Sequence, residues 1–213
     1  MTNEYSITAE QYVGLYERYL RRPPDELLLA AGNIKGKMVL DLCAGTLRAS
    51  NRAKELGASW VVALDKSKDI MPAKHKADRI IVCDINKKYE FMDSFLFGSF
   101  DLVVCQQAIN YWFNSNNIET VCSLLKNGSH FIFNTFNTKP YSNPNMKSYG
   151  DFAEVVQVVD DVIYHLQMRK GFIPHYTSFK WIPPDEFESV LNTYFRDVKS
   201  IVDKTTTIYV CER

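Results

Sequence analysis

No run in this chain approaches the roughly 20 consecutive apolar residues that a membrane-spanning helix requires. The opening Met1-Thr-Asn-Glu-Tyr5 lacks the basic region and apolar stretch of a secretory leader. An excess of either charge is missing too: 25 Lys and Arg balance 25 Asp and Glu. That balance gives no broad field for capturing nucleic acid or an anionic membrane, so neither is expected as a partner. Cysteine is sparse and unpatterned. Cys43, Cys83, Cys105, Cys122 and Cys211 are odd in number and show neither Cys-x-x-Cys nor Cys/His ligand spacing. Four of them sit in or beside apolar runs, where cysteine packs as a small hydrophobe. A reduced, cytoplasmic protein without a structural metal is the expectation. A Gly-x-Gly-x-x-Gly turn is missing as well, which excludes the dinucleotide-binding fingerprint.

What remains suits one globular domain over 1–213, with 46% hydrophobic residues to build its core. The chain is organised around Lys37–Asp65. Met38–Leu42 is a short, branched apolar run that reads as a buried strand. A tight Cys43-Ala44-Gly45-Thr46 turn leads into Leu47–Leu56, which has helical spacing. Trp60–Leu64 is a second apolar run and ends in Asp65. Strand, small-residue turn, helix, strand and acid form the first half of a nucleotide-binding α/β unit. Arg79–Cys83 reads as a third strand, followed by Asp84-Ile85. Asp41, Asp65 and Asp84 thus mark the ends of three successive strands, the edge at which open α/β sheets bind ligands.

Around this unit, Tyr5–Arg22 carries Tyr12, Leu15, Tyr16, Tyr19 and Leu20 on one helical face. Pro23-Pro24 breaks it, and a second helix runs from Asp25 to Ala31; together residues 1–34 form a helical cap. Ser67 is placed to cap a short helix reaching Met71–Lys74, and that helix would carry His75 on the surface. Glu90–Phe97 reads as another short helix. Phe100–Cys105 is a fourth strand, followed by Gln106-Gln107-Ala108 and the aromatic run Asn110-Tyr111-Trp112-Phe113, expected to wall a substrate pocket. Ser115–Leu125 has helical spacing with a stop at Asn127-Gly128, and His130–Asn134 is a fifth strand. Residues 139–181 form an insertion: a loop through Gly150, then an antiparallel hairpin turning at Asp160-Asp161. Pro183-Pro184-Asp185 opens a helix, and Val198–Val202 and Thr206–Cys211 are the last strands.

The Lys37–Arg48 turn, the Phe-Asp-Leu-Val-Val run and the Leu-Leu-Lys-Asn-Gly approach to the fifth strand resemble the class I S-adenosylmethionine-dependent methyltransferases. The resemblance covers about residues 35 to 135, and the layout of 181 to 213. Cys43 and Leu47 stand where the family's first motif has its first and third glycines, leaving only Gly45. The fold it implies is a Rossmann-like, seven-stranded, mostly parallel sheet with a C-terminal antiparallel hairpin and helices on both faces. It also implies S-adenosylmethionine as cofactor and S-adenosylhomocysteine as product. Carried over residue by residue, the cofactor contacts would be Asp41, Cys43, Ala44, Gly45, Asp65, Lys66, Met71, Asp84, Ile85 and Gln106. Tyr12, Tyr16 and Tyr19 are the candidates to close over the methionine end. Gln107, Trp112, Asn134, Arg169 and Trp181 are the substrate-binding candidates.

Methyl transfer from a sulfonium needs alignment and exclusion of water more than a fixed catalyst. A hydroxyl acceptor also needs help losing its proton, for which histidine is suited near neutral pH. His165 and His175 in the insertion are therefore the catalytic candidates, with Asn110 and Tyr111; His130 falls at the opposite strand edge. No Asn/Asp-Pro-Pro-aromatic sequence follows the fourth strand, as amino-methylating nucleic-acid enzymes would have, and no carboxylate cluster suited to a metal stands there. The expected function is methyl transfer to N or O of a small molecule, by a monomer or homodimer. Attack at another sulfonium carbon, and a non-catalytic cofactor-binding protein, are the alternatives.

Overall fold

The computed structural model describes residues 8–20, 25–87, 97–137, 139, 145–203 and 206–213, with the side chains of 16–20, 145 and 149 outside that description. Its centre is β1 (Met38–Leu42), a strand buried on both faces. Period-2 alternation sends Leu40 and Leu42 into one core and Val39 into the other. The same division holds in β2 (Trp60–Asp65), β4 (Phe100–Cys105) and β5 (Leu125–Phe136). One core is closed by α4 (Ser115–Leu124) and α5 (Pro184–Tyr194), the other by α2 (Asp25–Ala30) and α3 (Arg48–Glu55). Helices therefore cover both faces of the sheet.

With β3 (Arg79–Val82), β10 (Asp197–Asp203) and β11 (Thr206–Glu212), the strand order is β10-β11-β5-β4-β1-β2-β3. β1 through β5 run parallel, and β11 is antiparallel to both β5 and β10. From β1 the chain first steps outward to β2 and β3, then returns to place β4 on the other side. That reversal leaves a crevice beyond the carboxyl ends of β1 and β4. The expected seven-stranded sheet and terminal hairpin are thus present.

The insertion holds more strand than its sequence suggested. β6 (Asn145–Tyr149), β7 (Phe152–Val159), β8 (Val162–Arg169) and β9 (His175–Lys180) form a second, four-stranded antiparallel sheet. The hairpin turn at Asp160 and Asp161 has φ of +47° and +63°, the primed geometry that matches strand twist. β6 lies in the stretch expected to be loop; pairing with β7 overrides its Pro- and Asn-rich composition.

Two helical expectations need correction. Ser67–Lys74 makes only a turn, closed by the Met71 N–H on the Lys68 carbonyl at 3.1 Å. Pro72 follows at once and disfavours helical backbone at Met71, while Lys74, His75 and Lys76 are exposed. Helix α4 does not continue to Asn127-Gly128, because the chain enters β5 at Leu125 through an irregularity in the β4–β5 register. The helix expected from Glu90 falls on residues outside those described. At the N-terminus, α1 (Ala9–Leu20) forms as expected. Arg169 donates from Nη1 to the Gly14 carbonyl at 2.7 Å, tying α1 to the second sheet. A Cβ on Gly14 would lie 2.2 Å from the Phe172 ring, so this close approach depends on glycine.

Candidate active site

The site begins with the turn after β1. Cys43, Gly45 and Leu47 have φ of +54°, +50° and +61°. The two positions where the methyltransferase motif has glycine therefore keep a left-handed backbone without it. Leu47 is fully buried against α2 and α3, and that burial offsets its strain. Cys43 is half-buried, and its hydrogen bond to the Cys105 thiol, together with burial, holds its own thiol protonated. Cys43→Gly is expected to raise stability by about 0.5–1 kcal/mol through relief of the left-handed cost. Leu47→Gly should instead lower it by about 2 kcal/mol, since a buried leucine is worth more than that cost. Urea denaturation would check both, and a gain in both variants would contradict this division.

Two carboxylates fasten the turn. Asp41 Oδ2 accepts from the Ser50 N–H at 2.9 Å and the Ser50 hydroxyl at 2.6 Å, anchoring the start of α3. Asp65 accepts from the Gly45 N–H through Oδ2 at 2.9 Å and from the Ser67 N–H through Oδ1 at 2.8 Å. Burial raises both acids, Asp41 to about 7 and Asp65 in the same direction. Between the ordinary 3.8 and about 7, the folded state binds more protons at Asp41 than the unfolded chain. This group's contribution to stability is thus fullest at low pH and is lost as pH rises through that window. The melting temperature of Asp41→Asn relative to wild type should accordingly climb between pH 5 and pH 8. A difference that falls over that range would contradict the assignment.

A cleft opens above these groups, about 1480 Å³ counted out to its mouth. Its lining includes Asp41, Cys43, Ala44, Gly45, Asp65, Lys66, Asp84, Ile85 and Gln106. A Cβ added to Gly45 would meet nothing closer than the Cys43 carbonyl at 3.9 Å and Ile70 Cδ1 at 4.0 Å, so the backbone there is open to a ligand. Gln107, Asn110, Tyr111 and Trp112 line it too, as do His165, Gln167, His175, Thr177 and Phe179 from the second sheet. Tyr12 of α1 also lines it, edge-on to His175 with ring centroids 6.4 Å apart. Burial raises the Tyr12 phenol, with Tyr111 and Asp65 adding to the effect.

Most of the expected residues are thus brought to one cleft. Met71 is not: it packs against the α2–α3 core, and its neighbour Ile70 lines the cleft instead. Asn134 lies behind the lining, where its Oδ1 accepts the Gln107 N–H at 2.8 Å and holds that residue at φ +56°. Arg169 is directed away, donating to Asp151 at 3.0 Å as well as to Gly14. Trp181 is buried with Val158 and Ile163 under the second sheet. Trp112 does line the cleft, yet it is 3% exposed and packs on Phe131 within the main core. Tyr111 and Phe136, 36% and 37% exposed, are the more open aromatic side chains of the lining. The side chains of Tyr16 and Tyr19 are outside the described residues. Asn110 donates to the Lys180 carbonyl at 3.1 Å and accepts from Thr135 at 2.8 Å, joining the fourth-strand loop to the second sheet.

Sequence reading missed Ile70, Gln167 and Thr177. For Gln167 a signal existed, since it shares a strand face with His165 two residues earlier.

A family model described as a methyltransferase domain matches residues 33–182. This chain belongs to the methyltransferase domain family. No curated protein matches it in sequence. Among solved structures, an S-adenosylmethionine-dependent methyltransferase from Clostridium acetobutylicum superposes with a TM-score of 0.71 at 17% identity, over 95% of this chain and 98% of that one. CalS10 from Micromonospora echinaspora, an amino pentose methyltransferase with S-adenosylmethionine bound, gives 0.63 at 11% identity, covering 94% and 96%. The sugar N-methyltransferase KedS8 from a Streptoalloteichus species gives 0.59 at 13%, covering 93% and 87%. The expected methyltransferase class and cofactor agree with the family and with these folds. Among the described residues, no cluster of three or more His, Cys, Asp or Glu is placed to hold a metal. No helix there is long and apolar enough to cross a membrane.

Proposed function

We propose that this domain transfers a methyl group from S-adenosylmethionine to nitrogen or oxygen of a small polar acceptor. The observation that carries the reading is one cleft lined both by strand-end carboxylates with an open glycine turn and by His165 and buried His175 of the second sheet. The residues present fit the cofactor. Asp65 offers a carboxylate to ribose hydroxyls, Asp84 offers one to the adenine amine, and Ile70 and Ile85 give apolar surface for the ring. When bound, S-adenosylmethionine supplies a methyl group on a sulfonium, activated for displacement.

The chain's own task is to position the acceptor, exclude water and take a proton where the acceptor must lose one. His165 is the favoured base. Its Nε2 lies 3.3 Å from Oε2 of Glu154, itself buried, and a carboxylate there stabilises the imidazolium that proton uptake creates. His175, packed on Tyr12, and Tyr111 with Phe179, rings 5.3 Å apart, confine the acceptor. The sugar acceptors named for CalS10 and KedS8 support an amine-bearing, hydroxylated acceptor. Incubation with S-adenosylmethionine and a mixture of amines and alcohols, followed by mass spectrometry, should show S-adenosylhomocysteine and an acceptor heavier by one methyl group. Release of methylthioadenosine instead would overturn the reading in favour of attack at another carbon.

A further inference from the structure

The inward face of the second sheet is polar where such a face is ordinarily apolar. Glu154 pairs across strands with Gln167, Gln167 with His175, and His165 with Thr177. These five side chains form one contiguous block, and alternation puts them on the same face. Four of them, Glu154, Gln167, His175 and Thr177, are at most 5% exposed. Beyond the block, the same sheet buries Val158 and Ile163 in the usual way.

Gln167 is singular within it. It is fully buried and lines the cleft, and neither its Nε2 nor its Oε1 has a hydrogen-bond partner. No other described residue leaves both a buried donor and a buried acceptor unmatched. A buried amide without partners costs stability, so its place is explained by something that enters the cleft. We propose that Gln167 is the specificity-determining residue for the acceptor, and that it reads a vicinal pair of amino and hydroxyl groups. This rests on the methyltransferase reading above.

The chemistry follows from the amide's shape. Oε1 accepts from one group while the NH₂ donates to its neighbour, so the best ligand carries a donor and an acceptor on adjacent carbons. An ammonium beside a hydroxyl meets both demands. The second sheet contributes no Lys or Arg to the cleft lining, and Glu154 lies next to the amide in the sheet, so a cationic amine is accommodated and an anionic group is not. A lone amine or a lone alcohol leaves one end of the amide unpaired, and that unpaired buried group is the source of discrimination.

The test uses the whole protein saturated with S-adenosylhomocysteine and three probes: cis-2-aminocyclohexanol, cyclohexylamine and cyclohexanol. Saturation-transfer NMR titration should show the amino alcohol binding about tenfold or more tightly than either single-group probe. Gln167→Leu and the nearly isosteric Gln167→Met should both erase that preference. With no ligand, both variants should melt at the same temperature as wild type or higher, because two unpaired polar atoms are removed. Equal binding of the probes, no binding of the amino alcohol, or a preference that survives both substitutions overturns the proposal. So does a lower melting point in both variants, which would make Gln167 a structural residue. Calorimetric binding of S-adenosylhomocysteine to wild type is read separately: its loss would defeat the methyltransferase reading, whereas its presence with failed probes would defeat only the role of Gln167.

Discussion

Replacing Asp65 with alanine is expected to weaken S-adenosylhomocysteine binding by about 10- to 100-fold, the worth of hydrogen bonds to a buried carboxylate. The effect has two sources. The carboxylate lines the cleft at the end of β2, where a nucleoside's neutral hydroxyls can donate to it. It also holds the Gly45 and Ser67 N–H groups on its two oxygens, so its removal loosens the glycine turn beside the ligand. Asp65→Asn separates them. An amide accepts from one N–H and turns its own NH₂ toward the other, so binding should fall part of the way. Calorimetry at neutral pH decides: unchanged affinity in Asp65→Ala would remove the ribose assignment, while equal losses in both variants would place the whole effect in the turn.

Trp112→Ala should cost about 3–5 kcal/mol of unfolding free energy, because it empties a large buried volume in the main core. The ring packs against Phe131, 6.2 Å between centroids, in the same core as Phe133, Phe187 and Tyr209. Its Nε1 is buried without a partner, so the ring is held by packing rather than by a hydrogen bond. Trp112→Phe is therefore expected to cost no more than about 1.5 kcal/mol, the range of a tolerated apolar exchange. Cofactor affinity should fall with stability in the alanine variant and persist in the phenylalanine one. A stable Trp112→Ala protein that has lost only acceptor use would contradict this and restore Trp112 as a substrate wall.

The parts of this molecule legible in the sequence are those set by local pattern. Branched apolar runs ending in Asp41, Asp65 and Asp84 announced the strands, and because parallel strands share one direction, their ends share one edge. The Asp160-Asp161 pair announced a hairpin. Cys43 and Leu47 looked like departures from the family turn, but backbone conformation there is imposed by the Asp65 and Ser50 hydrogen-bond network and by Leu47 burial, which no short motif records. The second sheet was harder to read. Residues His165, Gln167 and Arg169 share one face of β8 by alternation, yet the cleft ends before Arg169, where Asp151 and the Gly14 carbonyl take the guanidinium. Which part of a strand lies over a cleft is decided by how the sheet docks, a long-range outcome. Trp112 and Trp181 were hard to place from sequence for a related reason: an aromatic beside polar residues fits a pocket wall and a core edge equally well until its packing partners are known.

The most direct test of the account is a calorimetric titration of the wild-type protein with S-adenosylhomocysteine. Saturable binding at one site per chain, abolished or strongly weakened by Asp65→Ala, is the predicted result. A chain that folds cooperatively yet gives no binding heat with S-adenosylhomocysteine, and none with S-adenosylmethionine, would contradict it, leaving the three strand-end acids as structural caps.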